Sequence, residues 1–185
     1  MRIIAGEWRG RRLASVGKGD SAASLRPTTD RVREALFGML AGGRFGAPFD
    51  GTCVLDLFAG TGALGLEALS RGARHATFVE RGRVGARLIR ENIALLGAAG
   101  QTRLLGTDAA RLPAGTPCAL IFLDPPYGKD LGQKALASAL ASGWIAQGAL
   151  IVWEEATAQN APEGFTLLES RRYGDSVITL MEMTG

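Results

Sequence analysis

Asp124-Pro125-Pro126-Tyr127 carries the most distinctive chemistry in this 185-residue chain. An apolar run at residues 119–123 leads straight into it, and so short a run closed by breakers reads as a buried strand. Each proline lacks the backbone donor that a sheet ladder needs, so the chain must leave the sheet at Asp124 in a stiff, extended turn. A carboxylate, a prolyl carbonyl and an aromatic ring are thereby grouped at the carboxyl end of a strand, where open α/β sheets bind ligands. Hydrogen-bond acceptors beside a stacking surface suit a planar ring bearing an amino group. The competing reading, a rigid surface turn, fits the strand context less well.

A second group of residues suggests what such a ring would meet. Another apolar run enters Asp56-Leu57-Phe58-Ala59-Gly60-Thr61-Gly62-Ala63-Leu64-Gly65. The glycines spell G-x-G-x-x-G, which fits a dinucleotide loop, the nucleoside loop of S-adenosylmethionine enzymes, or a tight turn with no ligand. Three acids discriminate. Asp56 would repel a pyrophosphate, yet it favours a sulfonium and an ammonium. Glu80, at the next strand end, can accept from two ribose hydroxyls in either cofactor. Asp108, after the third strand, can accept from an adenine amino group, with the Ala109 backbone as a neighbouring donor; capping the next turn is its bland alternative. Together with the proline turn, these favour S-adenosylmethionine over NAD.

The elements that hold these residues follow from periodicity. Strands are expected at 53–58, 76–80, 102–106, 119–123 and 149–155, and helices at 63–71, 84–96 and 133–142. Residues 165–173 and 176–183 read as an antiparallel pair turned at Gly174-Asp175. Upstream, Val32, Ala35, Leu36, Met39 and Leu40 have the spacing of one apolar helical face. Thr28, Thr29 and Asp30 are N-cap candidates, and Gly42-Gly43 stops the helix. Residues 2–14 read as a β-hairpin or a pair of short strands split by Gly6 and Gly10, and residues 15–25 as a loop. Alternating strands and helices imply an α/β fold with a mostly parallel sheet and helices on both faces. The expected division is a basic hairpin and loop, residues 1–25, and a main domain, residues 26–185.

Charge is unevenly placed. Residues 1–33 hold eight basic residues against three acidic ones, net +5, and the remainder holds 13 against 15, net −2, within a total of +3. A basic arm on a near-neutral body suits a polyanion. Arg2, Arg9, Arg11 and Arg12 surround Trp8, a pattern that fits phosphate contact with base stacking; Trp8 as a core anchor fits equally well. No run is long enough to span a membrane, no signal peptide is visible, and Cys53 and Cys118 read as buried free thiols, so a cytoplasmic protein is expected. His75 is the single histidine and no metal-ligand cluster stands out, so no metal is expected.

Asp56-x-x-x-Gly60-x-Gly62, Glu80, Asp108 and Asp124-Pro-Pro-Tyr127 resemble the motifs of class I amino-methyltransferases. The opening, residues 2–13, and the stretch Arg26-Pro-Thr-Thr-Asp-Arg-Val-Arg-Glu-Ala-Leu-Phe37 are similar to the RsmD family, the bacterial 16S ribosomal RNA (guanine(966)-N(2))-methyltransferases. The resemblance covers nearly the whole chain, residues 64–72 included. It departs where Ala5-Gly6 stands for Gly-Gly and where Gly38 stands for an asparagine. It implies a Rossmann-like methyltransferase fold with a seven-stranded sheet, a C-terminal antiparallel strand pair and an N-terminal β-hairpin extension. It further implies S-adenosylmethionine held by Asp56, Phe58, Ala59, Gly60, Gly62, Glu80, Arg81, Asp108 and Ala109. It also implies that catalysis falls to Asp124, Pro125, Pro126 and Tyr127 and that the expected product is a methylated guanine amine. Arg2, Arg9, Arg11, Arg12, Arg26, Arg31, Arg33 and Lys129 are the expected contacts to 16S ribosomal RNA or an assembling 30S subunit, made by a monomer; Arg171 and Arg172 are weaker candidates.

Other functions share parts of the pattern. DNA adenine-N6 methylation uses the same Asp-Pro-Pro-Tyr turn, but 185 residues leave little room for a sequence-reading domain. Protein glutamine methylation more often places Asn at position 124. An RNA-binding module with a vestigial cofactor pocket would have no reason to keep Asp56, Glu80 and Asp124 together.

Overall fold

Strands that are apolar on both faces form the centre of the molecule, as a parallel sheet covered by helices requires. The computed structural model describes residues 1–15, 30–42, 44–127 and 130–185. Its seven strands are β1 (Cys53–Leu57), β2 (His75–Val79), β3 (Thr102–Leu105), β4 (Cys118–Leu123), β5 (Ile145–Glu155), β6 (Phe165–Tyr173) and β7 (Ser176–Met183). They lie side by side in the order β3-β2-β1-β4-β5-β7-β6. The first five are mutually parallel, and β7 runs antiparallel to both β5 and β6. The chain steps outward from β1 to β3 and returns beside β1 as β4, so β1 and β4 flank the topological switch point.

Among the described residues, four helices cover the sheet: α1 (Asp30–Ala41), α2 (Ala63–Ser70), α3 (Arg83–Leu96) and α4 (Leu131–Ala141). Alternation along the strands divides the core in two. Val54, Phe78, Leu120, Phe122 and Val152 pack with α1, α2 and α3. Leu55, Leu57, Ile121, Leu123 and Trp153 pack with α4 on the opposite face. The C-terminal strands fall at the expected residues, 165–173 and 176–183. Strand β5 begins four residues earlier than expected, because Ile145 pairs with Cys118 ahead of an irregularity in the β4–β5 ladder. Gly148, with φ +72°, lies in that irregular stretch and resembles a turn in sequence.

The apolar face of α1 is rotated from the expected one. Arg33, Leu36, Phe37 and Leu40 are buried, whereas Val32, Ala35 and Met39 are only partly so. The N-terminal segment is joined by one antiparallel bridge, Arg2 to Arg12, rather than by two regular strands. Hairpin-like backbone bonds join its two arms, from Ile3 N to the Arg11 carbonyl, Gly10 N to the Ile3 carbonyl and Leu13 N to the Met1 carbonyl, and further bonds tie it to helices. Ile4 N and Ala5 N donate to the Glu67 carboxylate at 2.7 and 3.0 Å, and Trp8 N donates to Ser70 Oγ at 3.0 Å. Asn92 of α3 holds the Ala14 backbone from both sides, accepting from its N–H and donating to its carbonyl. Ile3, Trp8 and Leu13 are buried in the core, so Trp8 is an anchor and not a stacking platform. Gly6 is required here: with φ +84°, an added Cβ would lie 1.7 Å from the Ser70 carbonyl oxygen.

Candidate active site

The acids singled out in the sequence sit at the carboxyl ends of neighbouring strands. Asp108 follows β3, Glu80 follows β2, Asp56 lies at the end of β1, and Asp124 follows β4. Glu154 at the end of β5 extends the row. The register pairs Leu123 with Trp153, so Asp124 and Glu154 are the next residues on adjacent strands. All five carboxylates line one cleft of about 1070 Å³. The glycine loop, Asp124-Pro125-Pro126-Tyr127 and the β6–β7 turn at Tyr173-Gly174-Asp175 line it too.

The glycine loop leaves β1 through three left-handed residues, Phe58 (φ +62°), Gly60 (φ +57°) and Gly62 (φ +78°). Phe58 is not a glycine, and a bulky residue in that region stores backbone strain of about 1–3 kcal/mol. Gly65 lets α2 approach the sheet, since a Cβ there would lie 2.5 Å from the buried Phe78 ring. Gly65 N also donates to Asp56 Oδ2 at 3.0 Å, so Asp56 ties the start of α2 to the end of β1. Asp56 is almost fully buried, and that burial pushes its carboxyl up to about 7; the nearby Glu80 charge adds to the rise, while the Gly65 hydrogen bond opposes it.

Glu80 accepts from Gly60 N at 2.9 Å through one oxygen and from Gly82 N at 2.6 Å through the other. Its carboxylate therefore fixes the loop and stands at the cleft wall in a single orientation. Asp108 Oδ1 caps the 3-10 turn at residues 109–111 by accepting from Ala110 N at 3.0 Å. Its Oδ2 lies 3.2 Å from Arg81 Nη1, an exposed pair. One oxygen of Asp108 thus caps the turn, and the other is paired with Arg81 beside the cleft. Ala109 is buried beside it.

Pro125 is buried, Pro126 is exposed, and Asp124 and Tyr127 are partly exposed. Two residues that sequence reasoning missed hold Tyr127. Its hydroxyl lies 2.8 Å from Ser176 Oγ and 3.3 Å from Glu154 Oε1, and Ser176 Oγ donates to the same Glu154 oxygen at 2.8 Å. The signal for Glu154 was available, because it repeats the acid-at-strand-end pattern of the other four.

The arginines separate into two groups. Arg2, Arg9, Arg11, Arg12 and Arg31 are exposed, and Arg31 lines the cleft. Arg33 is completely buried and is withdrawn as an RNA contact. Its Nη2 donates to Asp30 Oδ1 and to the Arg2 carbonyl, each at 2.6 Å, and its Nη1 lies 3.8 Å from Glu67. Arg26 and Lys129 lie outside the described residues. Arg171 and Arg172 are exposed on β6, the last strand of the sheet, and Arg171 is paired with Glu169. His75 stands at the amino end of β2, away from the cleft, its imidazole held below the usual value by burial and by Arg103 and Arg74. Among the described residues, no group of three or more His, Cys, Asp or Glu side chains is arranged to hold a metal, and no helix is long and apolar enough to cross a membrane.

Comparison with known proteins gives concordant matches. The family described as conserved hypothetical protein 95 matches residues 1–182. Ribosomal RNA small subunit methyltransferase D of Escherichia coli is 42% identical over 164 residues, 88% of this chain and 78% of that protein. The protein of the same name from Haemophilus influenzae is 35% identical over 183 residues, 94% of this chain and 89% of that one. A solved structure of a candidate methyltransferase from Escherichia coli superposes with a TM-score of 0.83 at 38% identity, over 100% of this chain and 98% of that chain.

Proposed function

The chain belongs to the RsmD family, matched as conserved hypothetical protein 95, and from that premise we propose that it transfers a methyl group from S-adenosylmethionine to the N2 amine of a guanine in small-subunit ribosomal RNA, the family's guanine 966. The observation that carries this reading is the position of Asp124-Pro125-Pro126-Tyr127: it opens into the same cleft as the glycine loop, beside the switch point of the sheet. We assign residues 26–185 to methyl transfer. Residues 1–25 are the basic RNA-facing segment of a cytoplasmic, monomeric enzyme. The division is functional, since Ile3, Trp8 and Leu13 belong to the common core.

The cleft residues fit S-adenosylmethionine. A row of carboxylates favours a ligand with two cationic groups and disfavours a pyrophosphate. Gly60 brings bare backbone to the cleft wall, Gly62 supports the loop from the core side, and Glu80 is fixed by two amides where it can accept from ribose hydroxyls. Asp56 faces the cationic groups, Asp108 and the Ala109 backbone face the adenine edge, and Phe58, Ala59 and Arg81 complete the wall. When bound, the cofactor supplies a methyl group on a cationic sulfur.

The amine on guanine C2 is a poor nucleophile, because its lone pair is delocalised into the ring. Asp124 and the Pro125 carbonyl accept from its two N–H groups, which localises the lone pair. Pro126 stiffens the turn, and the Tyr127 ring supports the base and keeps the nitrogen in line. Placement of this kind is worth up to ~7–11 kcal/mol in well-oriented reactions. The proton leaves after transfer, to Asp124 or to water, so no strong base is needed. A paired guanine hides this amine, so the acceptor is unpaired or extruded. Arg2, Arg9, Arg11, Arg12 and Arg31 hold the RNA backbone.

Incubation with labelled S-adenosylmethionine and three acceptors tests the reading: undermethylated 30S particles, naked 16S RNA and DNA, with the modified nucleoside identified by mass spectrometry. N2-methylguanosine in an RNA arm is expected. N6-methyladenine in the DNA arm would replace the reading with adenine methylation, and transfer to none of the three would leave a binding module.

A further inference from the structure

Tyr127 is anchored from outside its own turn. Glu154 comes from the end of β5 and Ser176 from the start of β7, and both reach the Tyr127 hydroxyl. The three groups form a closed ring of contacts, with Ser176 Oγ donating to Glu154 Oε1 at 2.8 Å. Glu154 is only 7% exposed, so its carboxylate is built into the wall. The ring of Tyr127 can stack on a base only if its face is presented to the cleft and its hydroxyl is kept at the wall. A proline turn fixes the backbone of this segment, yet it leaves the tyrosine side chain free to rotate about χ1. Fixing the hydroxyl at two points removes that freedom.

We infer that Glu154 and Ser176 are positioning residues for the acceptor base: they clamp the Tyr127 hydroxyl and so set the ring that holds the guanine in line. This rests on the proposed reading of Asp124-Pro125-Pro126-Tyr127 as the acceptor site. The clamp ties β5 and β7 to catalysis, because Glu154 lies at the end of β5 and Ser176 opens β7 directly after the Gly174-Asp175 turn. Alignment, and not cofactor binding, is its job. A misaligned acceptor lowers the rate of transfer while leaving the donor site intact.

Kinetics on 30S particles with Glu154→Ala, Ser176→Ala and Tyr127→Phe test this. Each is expected to lower kcat by ~10-fold to 100-fold, the range a small misplacement produces, with calorimetric affinity for S-adenosylmethionine unchanged. Glu154→Gln keeps an acceptor oxygen and should recover most of the rate lost in Glu154→Ala. Combining Tyr127→Phe with Ser176→Ala should cost no more than the worse single change, because Tyr127→Phe already removes the contact that Ser176→Ala removes. Full activity in Glu154→Ala and Ser176→Ala, or strictly additive losses, would overturn the role. A second readout needs no activity. The chain has two tyrosines, Tyr127 and Tyr173, so an ultraviolet titration of Tyr173→Phe reports Tyr127 alone. Burial raises its phenol and the facing Glu154 and Asp124 charges raise it further, against the Ser176 hydrogen bond. Adding Glu154→Gln should therefore shift the titration to lower pH, and an unchanged curve would disprove the clamp. A wild-type protein that titrates as expected yet methylates no acceptor would instead remove the reading of the site, and the positioning role with it.

Discussion

Asp56 is a carboxylate with two tasks that oppose one another. It must stay buried to join α2 to β1 through Gly65, and it must be charged to favour a cationic ligand. Burial raises its carboxyl to about 7, so near neutral pH it is poised between protonated and ionised forms. The sign of the consequence is fixed. Below that value the free protein holds the proton, and a cationic ligand, which prefers the ionised form, must displace it. Affinity for S-adenosylmethionine is therefore expected to climb from about pH 5 to about pH 7 and then level, with proton release on binding at the lower end. Calorimetry in two buffers of different ionisation enthalpy would detect the released proton. A flat affinity with no buffer dependence would remove Asp56 from the cofactor site. The same folded-state rise means that Asp56 favours folding most at low pH and loses that contribution as pH rises through about 7.

At the scale of elements, the N-terminal segment is attached by helix side chains more than by strand pairing. Glu67 of α2 is fully buried and accepts from Ile4 N, Ala5 N and Arg71 Nε, with the buried Arg33 guanidinium 3.8 Å away. Replacing it by alanine leaves Arg33 facing a cavity with one fewer counter-charge. Glu67→Ala is expected to lower unfolding free energy by about 3–5 kcal/mol, measured by denaturant titration; a loss within about 0.5 kcal/mol, the size of an ordinary surface change, would contradict this attachment of the N-terminal segment. This network was hidden from sequence for a physical reason. Arg33 precedes Leu36, Phe37 and Leu40 by three, four and seven residues, so it lies on the true apolar face of α1. Reading the face as Val32, Ala35, Leu36, Met39 and Leu40 placed Leu36 and Leu40 correctly but put the arginine off the apolar stripe. The clue was Phe37, which shares the stripe with Arg33. By contrast, β6 and β7 fell where the pattern put them, because alternation and the Gly174-Asp175 turn mark both ends. The four acids at strand ends were legible one by one. The Tyr127 clamp was not, because Glu154 and Ser176 lie 27 and 49 residues downstream and meet Tyr127 only through the sheet.

Across the whole molecule, an acidic cleft lies within a chain whose first 33 residues carry net +5. The two signs suit two ligands: carboxylates for a cationic cofactor, exposed arginines for a polyanion. Arg11 and Arg12 are exposed on the N-terminal segment, and no role in the core competes for them. The double substitution Arg11→Ala with Arg12→Ala should weaken RNA binding and reduce the slope of log affinity against log salt by about 1–2. An unchanged slope would place the RNA elsewhere. The central claim is that Asp124 acts on the acceptor amine and not on the donor or the fold. Its most direct test is Asp124→Ala, measured for cofactor binding by calorimetry and for methyl transfer in a single turnover on 30S particles. The account predicts that S-adenosylmethionine and RNA still bind while transfer falls by ~10²-fold or more. Full transfer by Asp124→Ala would contradict it.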